Sequence, residues 1–325
     1  MAMGKPRILV TRKLPGAVEE HLAALFDVQL NPSDTPMGGV DLSAAMREFD
    51  ALVPTVSDRL DAGLLSAPGR RVQMIANIGV GFNNIDVETA RKEGIAVSNT
   101  PDVLTDATAD IGMTLILSTC RRAGEGERLV RADKWDGWAP THMLGTHVTG
   151  KPVGIIGMGR IGQAVARRCH FGFDMPVIYF NRSTKAVDFP ARQVDRLADL
   201  MAQADIVVVT VPGGGSNAHL IDAAMLAQMK QRGIFINIAR GDVVDERALI
   251  AALQTGQIAG AGLDVFAKEP LVPDALRALE NVVLLPHMGS ATREGRLEMG
   301  EKVLLNIKTF ADGHRPPDQV VPGTL

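Results

Sequence analysis

Three short segments carry side chains suited to acid–base chemistry at a carbonyl. Asn237-Ile238-Ala239-Arg240-Gly241-Asp242 offers an arginine, Gly262-Leu263-Asp264-Val265-Phe266-Ala267-Lys268-Glu269-Pro270 a glutamate, and Leu285-Pro286-His287-Met288-Gly289-Ser290 a histidine. The planar fork of Arg240 can grip a carboxylate and polarise the carbonyl next to it. His287 can protonate a carbonyl oxygen as hydride arrives at the carbon. Glu269 can hold that imidazole in one orientation and keep it protonated near neutrality. Singly, each has a plainer reading: a surface ion pair, a Glu-Pro loop, a structural histidine. Together, at the ends of expected strands and beside a dinucleotide fingerprint, they suit reduction of a 2-keto acid.

That fingerprint is Gly157-Met158-Gly159-Arg160-Ile161-Gly162, placed between the apolar run Pro152–Ile156 and the helical pattern Ile161–Cys169. Gly157 permits the tight turn, Gly159 lets the backbone approach a pyrophosphate, and Gly162 lets helix and strand pack closely. The helix N-terminus, with Arg160 and Ile161, then faces the anion. A bare match means little in a chain with 33 glycines; the strand–turn–helix setting gives it weight. An NAD site wants an acidic residue about 20 positions further on. Here Asn181 stands 19 residues after Gly162, followed by Arg182-Ser183-Thr184-Lys185. A carboxylate would repel a 2′-phosphate, whereas Arg182 can pair with one and Ser183, Thr184 or Lys185 can add donors. NADPH is the expected cofactor, with NADH possible; a solvated basic turn is the plainer alternative.

Short β-branched runs must position these groups. Strands are expected at Arg7–Val10, Ala51–Val53, Val72–Ile75 and Ala96–Ser98, then at Pro152–Ile156, Pro176–Phe180, Asp205–Val211, Gly233–Ile238, Gly260–Val265 and Val282–Leu285. Amphipathic segments alternate with them, which predicts α/β architecture, parallel sheets with helices on both faces. Asn99-Thr100-Pro101-Asp102 precedes a long helical pattern, Val103–Arg122, with Asp102 as its expected N-cap. Gly289-Ser290 precedes another, Ala291–Phe310. The expected division is a dinucleotide-binding domain over residues 100–290 and a discontinuous substrate domain over 1–99 and 291–325.

Composition sets the outer bounds. With 325 residues the chain is long enough for two domains. Hydrophobic residues at 46% and charged residues at 22% exclude intrinsic disorder and fibrous classes. A net charge of −3 gives no global field for nucleic acid or an anionic membrane, so neither is an expected partner. Only Cys120 and Cys169 occur, with neither metal-ligand spacing nor a disulfide framework. The run Ile8-Leu9-Val10 is too short for a signal-peptide core, and no stretch approaches the ~18 apolar residues of a membrane span. A soluble cytoplasmic protein with no metal is expected.

Read along its length, the sequence resembles the D-isomer-specific 2-hydroxyacid dehydrogenase family, most closely its NADPH-dependent glyoxylate/hydroxypyruvate reductases. The resemblance rests on Asn77-Ile78-Gly79-Val80-Gly81-Phe82-Asn83-Asn84-Ile85-Asp86, on Thr100-Pro101-Asp102-Val103-Leu104-Thr105-Asp106, on the glycine fingerprint, and on the Arg240, Asp264–Glu269 and His287 segments, from about residue 50 to 292. It implies two Rossmann-like or flavodoxin-like domains with the active site in the cleft between them, and a homodimer formed through the nucleotide domain. It implies active-site roles for Arg240, Glu269 and His287, with Ser290 nearby. Backbone N–H groups of Val80 and Gly81 would bind the substrate carboxylate, and Ile238 and Asp264 would lie along the nicotinamide. By residue type alone Gly79-Val80-Gly81 reads equally as a strand-ending turn or an anion nest.

One segment departs from the family. Many members carry a Pro-x-Thr-x-x-Thr-like stretch where this chain has Pro212-Gly213-Gly214-Gly215-Ser216-Asn217, Asn217 replacing the second threonine. Three successive glycines predict a pliable loop, which leaves the contacts of Pro212 and Asn217 with the adenosine end open. Trp135, Trp138 and Met143 either reach across a dimer interface to the substrate or pack as an ordinary loop. Glyoxylate and hydroxypyruvate are the expected substrates. The alternatives are another 2-keto acid such as 2-ketogluconate, or a nucleotide-sensing co-repressor that shares the fold.

Overall fold

The computed structural model describes residues 5–321; the outermost residues of the expected substrate domain, 1–4 and 322–325, lie outside the described residues. The chain divides into two compact units, one of residues up to Leu104 together with those from Ser290 onward, the other Thr105–Gly289.

In the first unit, β1 (Arg7–Val10), β2 (Asp27–Gln29), β3 (Ala51–Val53), β4 (Met74–Ala76) and β5 (Ala96–Ser98) run parallel in the order β2-β1-β3-β4-β5. This is the flavodoxin-like winding. In the second unit, β6 (Val153–Ile156), β7 (Val177–Phe180), β8 (Ala191–Gln193), β9 (Ile206–Val209), β10 (Ile234–Asn237), β11 (Gly260–Leu263) and β12 (Val282–Leu284) form a seven-stranded parallel sheet, ordered β12-β11-β10-β9-β6-β7-β8. That is the Rossmann order, reversing between β6 and β9. The chain then returns to the first unit through helix Arg293–Ala311, capped by the Thr292 hydroxyl, and β13 (Gln319–Val321), antiparallel to β5.

The central strands of the second unit are buried on both faces, as parallel strands covered by helices must be. In β9, Ile206 and Val208 enter one core layer with Val153, Ile155 and Ile236, while Val207 and Val209 enter the other with Ile156 and Phe235. Phe235 is fully buried, and such a side chain contributes about 1.5–3 kcal/mol.

The expected helical pattern Val103–Arg122 is the helix Thr105–Cys120, and a further helix that was not expected, Ala123–Arg131, follows it. The Cys120 carbonyl accepts the Thr146 N–H at 2.7 Å instead of continuing the ladder, and Arg122 turns left-handed at φ 52°. Asp102 lies in the preceding turn at φ 74°, three residues before the helix it was expected to cap. Three strands, β2, β8 and β13, have no counterpart among the expected ones. All are short and at sheet edges, and β2 and β8 contain no fully buried residue, so they lack the apolar alternation that marks a strand.

Candidate active site

Arg240, Glu269 and His287 follow β10, β11 and β12 at the carboxyl end of one sheet, where open α/β sheets bind ligands. His287 Nδ1 lies 2.6 Å from Glu269 Oε2, and Glu269 Oε1 accepts the Phe266 N–H at 3.0 Å. The glutamate is therefore fixed at both oxygens and the imidazole is left with Nε2 for another partner. His287 sits at φ 51°, a left-handed conformation that histidine adopts more readily than most side chains.

Asp264 holds the histidine's loop. Only 1% exposed, it accepts the Met288 N–H and the Gly289 N–H, each at 2.8 Å. Burial pushes its carboxyl above the usual range, outweighing these two hydrogen bonds and the nearby His287. Glu269 goes the other way. Burial opposes its charge, but the His287 hydrogen bond, the charges of His287 and Arg240 and the Phe266 N–H hold its carboxyl below the ordinary glutamate range.

Arg240 is shaped by a side-chain turn. Asn237, 1% exposed, accepts the Ala239 N–H at 3.0 Å and donates to the Arg240 carbonyl at 3.0 Å. Burial lowers the guanidinium's pKa, against the charges of Glu269, Asp242 and Asp264. Arginine nonetheless remains charged. The glycine loop 213–215 lies against this segment. A Cβ on Gly213 would stand 2.7 Å from Arg240 Cγ, and Gly214 donates its N–H to Asp242 Oδ2 at 2.6 Å. The expected pliable loop is thus tied down, and its glycines serve close approach and positive φ (73° at Gly214, 53° at Gly215). Asn217 spends its amide inside the loop, donating to the Pro212 carbonyl at 2.9 Å.

The glycine fingerprint turns sharply out of β6. Gly157 has φ 98°, and a Cβ on Gly162 would lie 2.1 Å from the Gly157 carbonyl oxygen. Helix Arg160–Phe173 starts at Gly159 with no side-chain cap. Asn181 bridges this turn to the end of β7, accepting the Met158 N–H at 3.2 Å and donating to the Ser183 carbonyl at 2.7 Å. Arg182, Ser183 and Thr184 are exposed beyond it. A cavity of about 790 Å³, lined by Met175, Pro176, Ile178 and Pro190, opens at the opposite, amino-terminal end of β6 and β7 and gathers none of these groups.

Residues 113–289 match the family described as D-isomer specific 2-hydroxyacid dehydrogenase, NAD binding domain. The chain is 44% identical over 322 residues to the glyoxylate reductase of Thermococcus kodakarensis, covering 97% of this chain and 96% of that one. The chain belongs to the D-isomer-specific 2-hydroxyacid dehydrogenase family. A family structure from Polaromonas sp. JS6 66 superposes with a TM-score of 0.89 at 36% identity, covering 98% of this chain and all of that one. The NADPH-dependent glyoxylate/hydroxypyruvate reductase of Sinorhizobium meliloti, solved with NADP and malonate, gives 0.88 at 34% identity and 99% of each chain.

The dinucleotide of such a dehydrogenase fits the second unit. The cradle at Gly157–Gly162 has no room for a Cβ at Gly162, and the uncapped helix start leaves backbone donors for a pyrophosphate. Sequence reasoning missed the fastening roles of Asn237 and Asp242. Their signal was a short polar side chain just past a strand, a common source of local side-chain-to-backbone bonds. Among the described residues no group of histidines, cysteines and carboxylates could hold a metal ion, and no helix is long and apolar enough to cross a membrane.

Proposed function

We propose that this chain reduces small 2-keto acids, glyoxylate to glycolate and hydroxypyruvate to D-glycerate. The observation that carries this reading is the His287–Glu269 pair at 2.6 Å beside Arg240. A bound dihydronicotinamide supplies the hydride for the keto carbon. Arg240 binds the substrate carboxylate with its fork and draws density from the adjacent carbonyl. His287 donates its Nε2 proton to the carbonyl oxygen, and Glu269 stabilises the imidazolium before transfer. The Val80 and Gly81 N–H groups supply further carboxylate donors, with Ser290 as another contact. Ile238 and Asp264 belong to the nicotinamide side, Asp264 also fastening the histidine's loop. The test is nicotinamide absorbance over a panel of glyoxylate, hydroxypyruvate and 2-ketogluconate. Turnover of none of them would refute the reading.

Glu269→Gln keeps the shape of the pair and removes its charge. Reduction at neutral pH should fall by about 10- to 100-fold. For the parent chain the sign is that of a lowered carboxyl. The pair's stabilisation is present above the ordinary glutamate pKa and is lost as pH falls through the lower folded value. Turnover at neutral pH that a folded Glu269→Gln protein keeps unchanged would count against the pairing.

For the cofactor we favour NADPH. The support is the absence of a carboxylate at position 181 and the exposed Arg182 beside it. Arg182→Ala should weaken NADPH by about tenfold or more with little change for NADH. Asn181→Asp should invert the order. Dissociation constants for both cofactors decide it, and a parent chain binding NADH more tightly would overturn it.

A cytoplasmic homodimer completes the proposal. Helix Ala123–Arg131 has no buried residue, and Val130, Trp135, Trp138 and Leu144 stand exposed on this stretch, the kind of apolar surface a second copy covers. Sedimentation of the parent chain as a monomer would refute the dimer. The two buried free cysteines suit a reducing compartment. A fractionation placing the protein outside the cytoplasm would refute that part.

A further inference from the structure

The loop Gly79-Val80-Gly81 is held by its carbonyls. The Gly79 oxygen accepts the Thr100 N–H at 3.0 Å and the Asn77 amide at 3.4 Å. The Val80 oxygen accepts the Asn99 amide at 2.8 Å. The Gly81 oxygen accepts the Asn77 amide at 3.1 Å. Both asparagines are themselves immobilised: Asn77 is fully buried and its Oδ1 takes the Asn84 amide at 3.2 Å, and Asn99 is 8% exposed with its own N–H on the Asp318 carbonyl at 3.2 Å.

In a trans peptide the carbonyl and the following N–H lie in one rigid plane and point in opposite directions. Drawing the Gly79 oxygen toward Thr100 and Asn77 therefore turns the Val80 N–H the other way. Drawing the Val80 oxygen toward Asn99 does the same for the Gly81 N–H. Neither N–H donates to an acceptor among the described residues. Two adjacent backbone donors, each with the carbonyl of its own peptide held from behind, are thus left to face an anion.

We propose that Asn77 and Asn99 are positioning residues that set this pair of amides to receive a carboxylate, Asn99 aiming Gly81 and Asn77 helping to aim Val80. The inference rests on the reading that Val80 and Gly81 hold the substrate carboxylate. The asparagines act through the backbone and need not touch the substrate. Preorganised donors bind an anion without first being turned toward it, so releasing one carbonyl weakens carboxylate binding selectively.

Asn99→Asp tests this with little change of volume, because a carboxylate cannot donate to the Val80 oxygen and repels it. In the NADP-loaded protein the KM for glyoxylate and the dissociation constant for oxalate, a non-reducible dicarboxylate, should both rise about 10- to 100-fold. NADP binding and the slow reduction of an aldehyde without a carboxylate should hold. Asn99→Ala should behave alike, and Asn77→Ser should show a smaller loss of the same kind. Unchanged oxalate binding in a folded Asn99→Asp protein overturns the proposal, and so does an equal fall for both classes of aldehyde. Oxalate titration needs no turnover. If the parent chain reduced no keto acid, the functional reading would fail while selective loss of oxalate binding would still support the aimed amides.

Discussion

His287→Gln should lower keto-acid turnover by about 10²- to 10⁴-fold while NADPH binding stays within a few-fold of the parent. The substitution removes the ring that faces Glu269 at 2.6 Å and with it the proton that, in the proposed reaction, meets the developing alkoxide. The glycine cradle at Gly157–Gly162 is built from other segments and does not depend on that ring. Because His287 occupies φ 51°, His287→Asn is a useful companion, since asparagine also accepts the left-handed region. Equal losses in both variants would locate the effect in the missing acid. Pre-steady-state nicotinamide oxidation separates the chemical step from product release, and near-normal rates in either folded variant would sink the assignment.

Arg240→Ala is expected to be nearly as damaging and to show a different signature. If Arg240 clamps the carboxylate as proposed, its removal should raise the keto-acid KM and lower kcat, with kcat/KM falling about 10²- to 10³-fold. Arg240→Lys should recover part of the binding, since a point charge replaces a two-pronged fork. The variant also leaves Glu269, Asp242 and Asp264 without the cation whose charge they share. Glu269 owes part of its lowered pKa to that cation. The loss of stability in Arg240→Ala should therefore be greatest above the ordinary carboxylate range and shrink as pH falls through it. Thermal melts across pH, beside kinetics, would show both. Unchanged KM for glyoxylate would remove Arg240 from the substrate.

The sequence displays the βα rhythm because the strands that carry it are apolar on both faces, as in Ile206–Val209 and Ile234–Asn237. It hides Asp27–Gln29 and Ala191–Gln193 because an edge strand need not bury either face. The three candidate side chains, Arg240, Glu269 and His287, are legible as residue types placed just past strand ends. What they grip is less so. Nothing in the sequence around Asp264 tells that its carboxylate closes on the Met288 and Gly289 amides. Three glycines in a row suggest slackness, yet the Asp242 carboxylate ties Gly214 down. In each case the direction of a short polar side chain depends on a backbone turn contributed by another segment, and spacing along one segment does not encode it.

The return of the chain to its first unit also has a consequence for synthesis. The second unit is one contiguous stretch, so all its strands are available as soon as Gly289 has emerged. The first unit is made earlier but must wait for helix Arg293–Ala311 and β13, whose Val321 is 1% exposed. Until then the β5 edge has no partner and is open to pairing with another chain. The half translated first is thus completed last, and the interval between the two is when a nascent chain runs its greatest risk of aggregation.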